Sequence, residues 1–67
     1  MPMIIRMRLY EIRTNKGVSV RRLSVLTGIT RAAIYKVENN ETDPKLSTLI
    51  ALSRALKVSI LDLFVVE

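Results

Sequence analysis

Apolar and polar residues change rhythm along this chain. Between Ile5 and Leu9 they alternate, with Arg6 and Arg8 set between Ile5, Met7 and Leu9, which is the period-two signature of a short strand. From Leu9 the spacing turns helical through Ile12, and Asn15-Lys16-Gly17 closes that element with a cation and a glycine. Ser19 is placed to cap a second helix, over about residues 20 to 27, that buries Leu23 and stops near Gly28. After Gly28-Ile29-Thr30, a third helix turns Ile34 and Val37 toward a core. Thr30 can cap it, and Asn39-Asn40 can end it because Asn tolerates left-handed backbone.

The stretch "NNETDPK" then reads as a loop. A fourth helix is expected from about Leu46 to Leu56, with Leu49, Leu52, Ser53 and Leu56 at i, i+3, i+4 and i+7. "SILD", from Ser59 to Asp62, has the form of a capping box and opens a short fifth helix. The run Phe64-Val65-Val66 is β-prone. It can pair antiparallel with Ile4 to Arg8, holding Met3, Ile5 and Phe64 near the surface of a small core; the other reading is two frayed tails. The expectation is an all-α, five-helix single domain over residues 1–67, with a small antiparallel two-stranded ribbon made by its terminal segments.

Composition narrows the function. The chain has 67 residues, 49% of them hydrophobic and 4% aromatic, which suits one modest core of Leu, Ile and Val and excludes a disordered tail. Cysteine is absent, so there is no disulfide, and a cytoplasmic setting is the simple reading. No apolar run reaches membrane-spanning length, and "MPMIIRMRLYEIR" carries charge too early for a secretion signal. Histidine is absent too. Among the scattered acids only Glu41 and Asp43 lie close together, so neither a metal, a cofactor, a small-molecule ligand nor catalysis is expected. Lys and Arg number 11 against 6 Asp and Glu, a net charge of +5. That excess favours an anionic partner or, more blandly, keeps a basic surface soluble.

The third helix carries the sharper signal. Opposite Ile34 and Val37 it presents Arg31, Ala32, Tyr35 and Lys36. Two short helices joined by a tight turn containing Gly form a helix-turn-helix, here about residues 20 to 39. The exposed face of the second helix must then fit a major groove about 12 Å wide. Arg can fork onto guanine O6 and N7, while Ala or the edge of Tyr can touch a thymine methyl; Lys36 reaches a base or a phosphate. Taken singly, this face also suits an ordinary solvated helix. The turn in front of it and the basic balance favour DNA.

The chain resembles the Cro and phage-repressor-type helix-turn-helix family, also called the xenobiotic-response-element family, over residues 9 to 64. The matching pieces are Arg13, Gly17, Ser19, Leu23, Gly28, Ile34, Val37, Glu38, Asn39, Pro44, Thr48-Leu49, Leu52, Ala55-Leu56, Val58 and "LDLF". Each alone is weak; their joint order and spacing is specific. The resemblance implies a lambda-repressor-like domain whose second and third helices read DNA, with Arg31, Ala32, Tyr35 and Lys36 on base edges. It implies phosphate contacts from Thr30 and Asn39, and from free amides at the start of the second helix, where Ser19, Arg21 and Arg22 stand. Lys45 joins that set because a cation is poor company for a helix N-terminus unless an anion lies nearby. Arg13 and Glu38 match a pair that forms an internal salt bridge.

The departures set the alternatives. Val20 stands where the family usually places a phosphate-holding Gln, so that contact is missing or moved to Arg21 or Arg22. Arg22 replaces a common capping-box acid, and Asn40 replaces the usual Gly. Glu41 and Asp43 put acids in a loop expected near the DNA backbone, where they either weaken nonspecific binding or point away. The resulting expectation is a bacterial or phage transcriptional regulator that binds a palindromic or pseudo-palindromic duplex as a homodimer and represses by promoter occupancy, with no room left for an effector domain. Ile5, Phe64, Val65 and Val66 are the dimer-interface candidates, with Ile50, Arg54 and Leu61 as the other surface. Two further readings stand beside it: an antitoxin that binds both DNA and a protein toxin, and a protein-interaction module without DNA binding.

Overall fold

A computed structural model describes residues 2–67. A short strand, β1 (Ile5–Met7), leads into four α-helices: α1 (Leu9–Asn15), α2 (Val20–Thr27), α3 (Arg31–Glu38) and α4 (Leu46–Leu56). A 3-10 helix (Ile60–Leu63) and a second strand, β2 (Phe64–Val66), follow. The helix boundaries track local chemistry. Ser19 accepts a hydrogen bond from the Arg22 amide and Thr30 one from the Ala33 amide, each satisfying an orphan donor of the first turn. Lys45 offers α4 no such side-chain cap. α2 stops at Gly28, whose φ of +76° lies in the left-handed region that glycine enters without a Cβ penalty.

The core is aliphatic. Leu9, Leu23, Ile34, Leu52, Leu56 and Leu63 are fully enclosed, and Val20 and Val37 complete the cluster. Each buried Leu or Ile contributes about 1.5–3 kcal/mol relative to exposure. Met7 and Phe64 pack on its flank from the strands.

β1 and β2 form an antiparallel two-stranded sheet in which Ile5 pairs with Val66, Arg6 with Val65 and Met7 with Phe64. Ile4 and Glu67 extend the ladder by exchanging both backbone hydrogen bonds, and the Arg8 amide donates to the Leu63 carbonyl at 2.7 Å.

The fifth helical element differs from the expectation of five α-helices. Ser59 and Asp62 do form a capping box: the Ser59 amide donates to the Asp62 carboxylate at 3.0 Å. The backbone bond that follows runs from the Asp62 amide to the Ser59 carbonyl, an i to i+3 closure. Phe64 is already extended, with φ −152° and ψ 161°, because it belongs to β2. Four residues between a cap and a strand leave no room for an i to i+4 ladder, so the element is a 3-10 turn. The described residues therefore form four α-helices with a small sheet, rather than an all-α bundle of five.

Candidate functional site

The turn between α2 and α3 is held by side chains of α2. The Ser24 hydroxyl donates to the Ile29 carbonyl, and the Thr27 hydroxyl donates to the Leu23 carbonyl while accepting from the Ile29 amide. The Gly28 amide returns to the Ser24 carbonyl at 2.8 Å. These bonds satisfy backbone groups that the tight turn would otherwise leave unpaired, and they fix the angle at which α3 leaves. Ser24 and Thr27 were not singled out from the sequence. A Ser and a Thr in the last turn before a Gly were the available signal.

α3 is sharply two-sided. Ile34 and Val37 lie in the core, whereas Arg31, Ala32, Tyr35 and Lys36 are exposed, Tyr35 by half of its surface. Around them Ser19, Arg21, Arg22, Thr30, Asn39 and Lys45 are exposed as well. The hydroxyl oxygens of Ser19 and Thr30 act as acceptors in the helix caps, which leaves each hydroxyl proton free to donate outward. Val20 is different. It is 6% exposed and belongs to the core cluster, so an apolar side chain here gains burial where a polar one would lose it. Glu41 and Asp43 are both exposed in the loop beyond α3. A concave surface lies between α3 and that loop, lined by Ala33, Lys36, Asp43, Pro44, Lys45 and Thr48.

The scaffold under α3 is ionic. Arg13 of α1 donates from Nε and Nη2 to the two carboxylate oxygens of Glu38, at 2.5 and 3.3 Å, and from Nη1 to the Val18 carbonyl at 3.0 Å. The side chains are 11% and 4% exposed, and the guanidinium sits 5.5 Å from the centre of the Tyr10 ring. The hydrogen bonds to Glu38 raise the Arg13 pKa further above its ordinary value, against the opposing effect of burial. The charge is permanent at any pH the fold survives.

At the far end of α3, Asn40 takes φ +57° and accepts a hydrogen bond on Oδ1 from the Met7 amide at 3.0 Å. This tie between the end of α3 and the two-stranded sheet was not anticipated. The sheet itself leaves Ile5, Val65 and Val66 exposed, while Phe64 is half-buried. On the other side Ile50, Arg54 and Leu61 are exposed too. Among the described residues, no helix is long and apolar enough to cross a membrane, and no three His, Cys, Asp or Glu side chains cluster as a metal site.

This arrangement has close counterparts. The HTH-type transcriptional regulator PuuR of Escherichia coli is 39% identical over 57 residues, covering 85% of this chain and 31% of that protein. The prophage-derived HTH-type transcriptional regulator YonR of Bacillus subtilis is 44% identical over 52 residues, 78% of this chain and 48% of that one. The matched region thus spans 31% and 48% of the length of these two curated relatives. Among solved structures, the restriction-modification controller protein C.AhdI from Aeromonas hydrophila superposes with a TM-score of 0.78 at 33% identity, covering 82% of this chain and 83% of that one. The helix-turn-helix family model matches residues 9–63, from the first residue of α1 to the end of the 3-10 turn, and the chain belongs to the helix-turn-helix family.

Proposed function

We propose that this protein is a transcriptional regulator that binds duplex DNA sequence-specifically as a homodimer and represses by occupying a promoter. The observation that carries the reading is the two-sidedness of α3: its core face is closed by Ile34 and Val37, while Arg31, Ala32, Tyr35 and Lys36 stand exposed together. In this reading Arg31 forks onto a guanine, Ala32 and Tyr35 meet thymine methyls, and Lys36 takes a base or phosphate. Ser19, Arg21, Arg22, Thr30, Asn39 and Lys45 hold the phosphates on either side and set the register without reading sequence. The fold neighbour's role as a controller protein and the relatives' role as transcriptional regulators support this assignment.

The dimer is assigned to the sheet, where Ile5, Val65 and Val66 leave an apolar surface beside the half-buried Phe64. A two-fold there sets two copies of α3 about 34–36 Å apart, one turn of DNA, and calls for a palindromic site. Selection from a random duplex library tests the whole reading. A palindrome with a guanine-containing half-site is the expected result. Equal, salt-sensitive retention of every sequence would overturn it.

A second reading, a protein-interaction module, draws on α2. Val20 is sunk in the core rather than offered to a phosphate, and Val25 and Leu26 lie side by side, 79% and 51% exposed. A gel shift against random duplex DNA at low salt separates the two, since a module of this kind retards none of it.

A further inference from the structure

We infer that Asn40 is a positioning residue: its side chain locks the terminal sheet to the end of α3, so that whatever the sheet holds is set at a fixed angle to the reading face. The inference rests on the DNA reading given above. Asn40 lies two residues beyond α3 and is in the left-handed region, with φ +57°. Its amide donates to the Val37 carbonyl at 3.2 Å and the Glu41 amide reaches back to Lys36 at 2.9 Å, which together wrap the helix end. That backbone task asks only for a residue that accepts positive φ, and glycine does it at lower cost. The Asn40 side chain does something glycine cannot. Its Oδ1 accepts from the Met7 amide, across 33 positions of sequence.

The sheet's geometry explains why that amide is available. Ile4 and Glu67 exchange backbone bonds, so the hydrogen-bonded pairs alternate from there. Arg6 opposite Val65 is the next such pair, and Ile5 and Met7 turn their amides away from β2. Met7 therefore presents an unpaired N–H on the outer edge of β1, facing the end of α3, and Asn40 caps it. The same bond closes that edge to another strand and leaves β2 as the open side of the ribbon. Phe64 and Met7 flank the core immediately below, so the tie acts on the part of the sheet that is already seated.

Two substitutions separate the backbone role from the side-chain role. Asn40→Gly keeps the positive φ and removes the acceptor; Asn40→Asp keeps an acceptor oxygen. Hydrogen exchange at the Met7 amide and affinity for the selected duplex are read on the full chain, alongside melting temperature. Asn40→Gly is expected to melt within a few degrees of the parent, lose protection at Met7 and bind the duplex about five- to tenfold more weakly. Asn40→Asp is expected to recover the Met7 protection. An Asn40→Gly protein with parental Met7 protection and parental affinity overturns the inference while leaving the DNA reading intact. A parent chain that binds no duplex sinks both.

Discussion

Arg13 and Glu38 meet through a two-pronged ion pair across 25 positions of sequence, joining α1 to the last residue of α3. The geometry is the strong form of the interaction, with two nitrogens of one planar fork on two oxygens of one carboxylate, and neither side chain is much exposed to water. A pair buried to this extent stabilises little compared with apolar residues of the same shape. Its weight appears when one partner is taken away, because the other charge is left enclosed.

Glu38→Ala should therefore cost about 3–5 kcal/mol in chemical denaturation, with Arg13 held only by the Val18 carbonyl. Loss of DNA binding should follow the loss of folding and be recovered at low temperature or in a stabilising osmolyte. A variant that melts like the parent yet binds no DNA would move Glu38 from the scaffold to the interface.

Arg31→Ala should weaken the best duplex by about 1–3 kcal/mol and relax the preference at one base position, as expected of a side chain that reads an edge. Arg22→Ala and Lys45→Ala should instead weaken all sequences alike and reduce the slope of log affinity against log salt by about one, because phosphates carry no sequence. Titrations of selected and scrambled duplexes at several salt concentrations distinguish the two patterns. An unchanged motif for Arg31→Ala would place the reading face elsewhere.

Removing Phe64 to Glu67 takes away β2 and should lower thermal stability and give monomers that bind a palindrome weakly. Since Phe64 also packs on the core, a gentler variant isolates the surface. Val66→Lys alters a residue that is more than half exposed and should dissociate the proposed dimer with a change in stability within about 0.5 kcal/mol. Analytical ultracentrifugation reads both. Persistence of the dimer in both variants would shift the interface to Ile50, Arg54 and Leu61.

Arg8 and Glu11, one turn apart, make an exposed pair with two hydrogen bonds at 3.2 Å. Arg8 holds the Glu11 carboxyl below the usual carboxylate range, first through those hydrogen bonds and then through its charge. A carboxyl whose folded pKa is depressed adds stability above its unfolded pKa and loses that share as pH falls through the folded value. Glu11→Gln should therefore remove that small share at neutral pH, leave the stability in acid unchanged, and so flatten the acid limb of the stability curve slightly. Arg8→Ala should move the Glu11 titration, followed by its carboxyl carbon shift in NMR, up toward that of an ordinary carboxylate.

The elements that could be read from sequence are those written in neighbouring residues. Ser19 and Thr30 stand three positions before the amides they cap, and Gly28 marks the turn by the one backbone property it has alone. The burial of Val20 is legible in the same way, for it lies at i, i+3 from the buried Leu23. Ser59 and Asp62 announced a helical turn, but its 3-10 form was out of reach, because it is decided by Phe64 pairing with Met7 near the opposite end of the chain. The contact of Asn40 with Met7 is non-local in the same way. Alternation marked Ile5 to Leu9 and β-prone residues marked Phe64 to Val66; nothing local to either showed which amide would face α3.

The sheet also governs the order in which the chain folds. α2 and α3 are adjacent in sequence, so their turn closes after only a short search, whereas Arg6 and Glu67 meet across 61 positions. β1 has no ladder partner until nearly the whole domain has been synthesised, and the cost of closing that loop falls on a pairing of three residues a side. The ribbon should therefore form late and open early, exchanging its amides with solvent while Leu23, Ile34 and Leu52 stay sealed. A domain built this way can exist with α3 formed and its two strands apart, and each such opening exposes an unpaired β2 to any strand that passes.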